Sequence, residues 1–116
     1  MITELIARVF CTRDCAHLKH WSTGSYAEHQ ALGDFYEEVI DIVDNLVECY
    51  QGNFGRIGKV KLDSQAGEPL KCMESDAVWI AENSEAISGD VEALENILQE
   101  LTGLYLRTIY KLKFLK

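Results

Sequence analysis

No apolar stretch in this sequence approaches the ~20 residues that a helix needs to cross a bilayer. The opening Met-Ile-Thr-Glu-Leu has neither the basic segment nor the continuous apolar segment of a secretory leader. The expected protein is soluble, unexported and cytoplasmic, with no membrane partner. In that setting the four cysteines, Cys11, Cys15, Cys49 and Cys72, are expected as reduced, half-buried thiols rather than a disulfide framework. Proline occurs once, at Pro69, so no ring interrupts a helix before it. Strand-like alternation, repeats and low-complexity segments are missing. Acid is missing after Glu100, where Arg107, Lys111, Lys113 and Lys116 fall. Residues 1–100 thus hold all 19 acids and seven of the eleven cations, a balance of −12 within a net charge of −8. An acidic body excludes nucleic-acid binding through the whole surface. The basic end is open to phosphate contact, or to the simpler role of complementing the dipole of a last helix.

What is there is helical periodicity in a chain of one-domain size, residues 1–116, with 47% hydrophobic residues for a core. Ile2, Leu5, Ile6, Val9, Ala16, His20 and Trp21 recur mostly at three- and four-residue steps, which predicts a first helix from a Thr3 cap to about Trp21. Ser-Thr-Gly-Ser then breaks the pattern, and Ser25-Tyr-Ala-Glu28 fits a capping box opening a second helix. Its stripe, Leu32, Phe35, Tyr36, Val39, Ile40, Val43, Leu46, Val47 and Tyr50, runs to Gly52, a suitable left-handed end. Gly52–Glu68 has no amphipathic period and reads as a long connection with room for one short helical turn. Pro69 suits the first position of a third helix with stripe Leu70, Met73, Ala77, Ile80, Ala81 and Ile87. Ser88-Gly89-Asp90 ends that helix and is expected to cap a fourth, with stripe Val91, Leu94, Ile97, Leu98, Leu101, Leu104, Tyr105, Ile109 and Leu112.

Two short joints and one long connection predict an all-α, ferritin-like four-helix bundle with a single crossover between the second and third helices. Seventeen extended residues reach about 56 Å, enough to run back along a helix of about 40 Å.

All three histidines, His17, His20 and His29, lie within thirteen residues. Cys11, Cys15, His17 and His20 look at first like a zinc set, but His20 falls about 180° from Cys11 on one helix, so they cannot converge on an ion. The Glu-x-x-His pairs of a di-metal centre inside one bundle are absent as well. What remains is His20 at the end of the first helix, His29 at the start of the second, and Asp44 and Glu48 further along it. Asp44 and Glu48 are i,i+4 neighbours and point the same way, as ligands or as a solvated flank. About 22 Å of helix separates His29 from Asp44, so one chain cannot close a site whose bonds are about 2 Å. Two chains packing antiparallel across a two-fold axis would bring His20 and His29 of one opposite Asp44 and Glu48 of the other, twice. Imidazole with carboxylate suits Fe(II), with Zn(II) or Mn(II) as competitors.

His20-Trp21, a glycine, His29 opening the next helix, then Asp44 and Glu48 resemble the Dps family, ferritin-like DNA-protection proteins of starved cells. The motif match covers residues 4–52, and in size the chain is similar to short Dps-like chains of phages. The resemblance implies an intersubunit ferroxidase site with His20, His29, Asp44 and Glu48 as ligands and Trp21 as the aromatic beside it. It implies Fe(II) oxidised by peroxide or oxygen, in a homo-oligomer with a two-fold dimer interface, dodecameric in its largest form, with an acidic cavity. Two departures stand out. The segment from His20 to His29 is three residues shorter than is usual in that family, and its further acidic ligand falls on Gly33, with Asp34 and Glu37 as poor substitutes. A lysine-rich, DNA-holding tail is also missing before the first helix. The alternative expectation is a catalytically silent ferritin-like module that binds protein or DNA. His17 is expected to be a surface or packing residue.

Overall fold

The computed structural model describes residues 1–62 and 67–116; residues 63–66 of the expected connection lie outside the described residues. Four helices form: α1 (Ile2–Ser22), α2 (Tyr26–Phe54), α3 (Pro69–Ser88) and α4 (Glu92–Phe114), with no strand among the described residues. At 29 residues α2 is about 43 Å long, which matches the 44 Å long axis of the molecule, so it spans the whole bundle.

Contacts join α1 to α2 and α3, and α4 to the same two, so α1–α4 and α2–α3 are the diagonals. Every neighbouring pair is antiparallel. Thr12 meets Asp76 and Lys19 meets Glu68 between α1 and α3; Arg107 meets Glu38 and Lys111 meets Asp34 between α4 and α2. The diagonal α2 and α3 therefore run parallel, which forces the chain between them back along the bundle. On that path Ile57 and Val60 pack against the core.

The apolar stripes face inward as their period demands. One cluster takes Leu5, Val9, Phe35, Leu46, Met73, Ile80, Leu94 and Leu101 from all four helices. Trp21 and Ala81 depart from their predicted stripes: Ala81 is exposed, and Trp21 is 69% exposed because it points about 100° round the helix from His20, whose ring rests on α2. Among the described residues one charged side chain enters the core, Asp76, buried together with Thr12 and Tyr105.

The helix ends correct the sequence reading in three places. α1 starts at Ile2 rather than at a Thr3 cap, because Ile2 is buried and is drawn into the first turn. α2 continues through Gly52 to Phe54, and Gly55 supplies the positive φ of 98°. The exit is fixed there by Gly55 N–H on the Gln51 carbonyl and by Ile57 N–H on the Gln51 side chain. At the α3–α4 joint α3 ends within Ser88-Gly89-Asp90 as expected, on a left-handed Gly89, but Asp90 does not cap. It too has positive φ, 67°, and Val91 takes the cap position with no side-chain bond.

Candidate functional site

The α1–α2 joint is built by short-range polar bonds. Thr23 N–H closes α1 on the Lys19 carbonyl, Ser25 N–H bonds to Thr23 Oγ1, and Ser25 Oγ accepts Glu28 N–H at 3.2 Å to open α2. The serine half of the capping box is therefore present, while the Glu28 carboxylate lies 3.8 Å from Lys19 Nζ. Lys19 also reaches Glu68 at the start of α3, 2.5 Å away. That hydrogen bond, ahead of the charge attraction, holds the Glu68 carboxyl below its ordinary value, and it is the main cause raising Lys19.

This tight joint brings His20 and His29 together. Their rings stack at 3.7 Å between centroids, 14° from parallel. His20 Nδ1 donates to the His29 carbonyl at 2.6 Å, and His29 Nδ1 donates to the His20 carbonyl at 2.7 Å. A carbonyl only accepts, so each Nδ1 carries the proton and, in the neutral ring, each Nε2 carries the lone pair. That is the nitrogen and the tautomer a metal ligand needs, oriented by a backbone acceptor. Parallel rings also send the two lone pairs along nearly parallel planes, so one ion takes both only after a ring turns.

Gly33 is part of the same contact. A Cβ built there would lie 2.9 Å from His20 Cε1 and 3.1 Å from Nδ1, so the absence of a side chain is what lets the imidazole rest on α2. Asp34 cannot stand in for an acid at position 33, since it turns to Lys111 at 3.9 Å. Tyr36 meets His20 edge-on at 5.3 Å and stacks on His17 at 3.9 Å; Trp21 touches His17 rather than His20. His17 is thus a packing residue, and Tyr36 is the aromatic against the His20–His29 pair.

Asp44 and Glu48 lie exposed on the far part of α2, on the rim of a groove of about 430 Å³ whose walls include Ile6, Phe10, Val47 and Val60. Within one chain, among the described residues, no group of three or more His, Cys, Asp or Glu side chains is placed to hold a metal ion. The three cations of α4 face acids of its neighbours: Arg107 on Glu38 at 3.8 Å, Lys111 on Asp34, and Lys113 on Glu74 at 3.4 Å. Exposed pairs like these add little stability, but they occupy charge that phosphate would otherwise meet.

Two clusters went unread in the sequence. Asp76 Oδ2 accepts from Thr12 Oγ1 at 2.5 Å and from Tyr105 OH at 2.8 Å, and Oδ1 lies 3.5 Å from Arg8 Nη1. Burial pushes the Asp76 carboxyl up, against those hydrogen bonds and the Arg8 charge; burial and then Asp76 push the Tyr105 phenol up further. The second cluster is a set of thiols, Cys11, Cys15 and Cys72, where α1 meets the start of α3. No helix among the described residues is long and apolar enough to cross a membrane.

Residues 20–112 match a family described as a family of unknown function, DUF5856. Over 109 residues, 94% of this chain and 85% of the relative, the sequence is 23% identical to an uncharacterized 14.6 kDa protein in the mobD-ri intergenic region of Enterobacteria phage T4. No solved structure matches the chain.

Proposed function

The chain belongs to the DUF5856 family, whose function is unknown, and from its own residues we propose that it is a ferritin-like, Dps-like iron-binding protein. Fe(II) is its substrate, bound between two chains by His20 and His29 of one and Asp44 and Glu48 of the other. The observation that carries this is the reciprocal pair of Nδ1–H bonds, which leaves the Nε2 atoms of both rings as the donors of one α1–α2 joint. Both lie far from the carboxylates in the same chain, about 22 Å along α2, so a two-fold pairing of chains is required. The parallel α2 and α3 and the crossover between them agree with a ferritin-like topology.

At such a site two Fe(II) ions give one electron each to peroxide, which with two protons leaves as two waters; oxygen is the alternative acceptor. Gly33 in place of an acid leaves the site with one hard ligand fewer, so one iron position is weak and Zn(II) competes for the other. The −12 charge of residues 1–100 suits an acidic cavity in a cytoplasmic homo-oligomeric shell, dodecameric in the fullest form. DNA binding draws little support, given the paired cations of α4. The relative in phage T4 fits a phage-type chain of this kind.

A second reading is favoured by the packing of His20 on Gly33: the two histidines serve only as a clasp for the joint of a silent structural or interaction module. Adding Fe(II) under air and following the near-ultraviolet ferric band separates the two. Oxidation faster than buffer, lost in His29→Ala and in Glu48→Ala, supports the iron site. A rate equal to buffer leaves the clasp, and a sedimentation mass of one 13.1 kDa chain removes the intersubunit site altogether.

A further inference from the structure

Three of the four thiols meet at a seam that the iron site does not use. Cys11 and Cys15 sit one turn apart on α1, and Cys72 lies in the first turn of α3; the Thr12–Asp76 and Lys19–Glu68 bonds between these antiparallel helices set a register that brings Cys72 level with Cys15. All three are half-buried, whereas Cys49 is exposed on α2. Cys11 and Cys72 line one groove of about 600 Å³ between the two helices, so the seam is open to small solutes. Gly67 borders it: a Cβ there would lie 3.0 Å from Cys72 Sγ, so the absence of a side chain at 67 leaves room for that sulfur.

We propose that Cys15 and Cys72 are a modification site, oxidised by a hydroperoxide to a disulfide that ties α1 to α3. Burial first, then Cys15, Asp76 and Cys11, push the Cys72 thiol up, which slows a first attack by that sulfur. The Cys15 sulfur attacks one peroxide oxygen, the O–O bond breaks, and the Cys15 proton leaves with the departing alkoxide as alcohol. The product is a sulfenic acid. The Cys72 sulfur then attacks the Cys15 sulfur, the S–O bond breaks, and the expelled hydroxide takes the Cys72 proton and leaves as water. In sum, two thiols and one hydroperoxide give one disulfide, one alcohol and one water. The bond sets the two sulfurs about 2.05 Å apart.

The full chain is treated with hydrogen peroxide in the presence of a chelator, so that iron chemistry is silent and the outcome does not depend on the iron site. The expected result is an intramolecular loss of two hydrogens, a Cys15–Cys72 peptide in the non-reducing map, and reversal by dithiothreitol. The closed loop holds the whole of α2, so the melting temperature should rise by about 10 °C. Cys49→Ser should retain the bond, and Cys15→Ser should lose it. Because Cys72→Ser alters the seam itself, the peptide map of the unsubstituted chain is the deciding measurement. The proposal is overturned if Cys15 and Cys72 remain open to alkylation after treatment of the folded chain, or if only Cys11–Cys72 or Cys49-linked dimers form.

Discussion

Replacing Asp76 should separate the worth of a buried charge from the worth of the hydrogen bonds it accepts. Thr12 and Tyr105, 2% and 0% exposed, both donate to Oδ2, and only Arg8 on the other oxygen reaches solvent. Asp76→Ala leaves two buried hydroxyls without an acceptor, each costing about 1–3 kcal/mol, partly offset by removing a buried carboxylate. A net loss of about 3 kcal/mol lowers the melting temperature of a chain this size by about 12 °C. Asp76→Asn keeps an oxygen for both hydroxyls and frees Arg8 to swing out, so its loss should be about 1 kcal/mol. The acid dependence gives a second check. Burial holds the carboxyl above the ordinary aspartate value of 3.8, so between the unfolded and folded values the native chain holds the extra proton. Stability contributed by this group is therefore greatest below that window, falls as pH rises through it, and is level above. The Asn variant has no such slope, while Glu68, whose lowered value gives the opposite slope, is common to both proteins. Calorimetric melts of the three proteins between pH 3 and pH 8 read both effects. An Ala variant melting within about 3 °C of the parent, or a difference curve between parent and Asn variant that is flat with pH, would refute the reasoning.

Gly33→Ala gains about 1 kcal/mol of helix propensity and loses a side-chain hydrogen bond worth about 0.5–1.5 kcal/mol, so stability should hardly move. The His20 ring must nevertheless leave, and its nitrogen-15 spectrum should lose the Nδ1–H pattern; an unchanged spectrum refutes the contact. Gly89→Ala places a side chain at φ 56° and 3.0 Å from the Phe54 ring. The left-handed penalty of about 1–2 kcal/mol should lower the melting temperature by about 4–8 °C, and no change in a thermal melt would count against the helix end as described.

The helices were legible because their signal is local: a stripe at 3.6-residue spacing needs no knowledge of its partner, and the buried residues of α2 and α4 fall on it apart from Ala31, Ile42 and Thr108. The ends were not, because several residues in each joint satisfy the local rule. Gly52 and Gly55 both suit a helix terminus, and the choice is made by where Ile57 and Val60 must land on α1 and α2. The polar cluster was legible and went unread. Asp76 lies three residues after Met73 and four before Ile80, and Thr12 three after Val9 and four before Ala16, so both are polar residues inside apolar stripes. Such a residue has to find a buried partner.

The histidine pair was half legible in a different sense. That His20 and His29 meet follows from the short joint, but which nitrogen each offers depends on two carbonyls that no spacing rule locates. Gly33 carries the larger lesson. Against the resembled family it is an acid gone missing, a simple subtraction from a ligand set. In the structure it is the floor under His20, and the 2.9 Å approach leaves no room for any side chain. An acid at position 33 and His20 in its present pose exclude one another. In the proposed iron site the chain has therefore exchanged a hard ligand at position 33 for a seat that holds the His20 imidazole in one tautomer. A motif carried over residue by residue cannot register such an exchange, because the position that changed and the side chain that moved are thirteen residues apart on different helices.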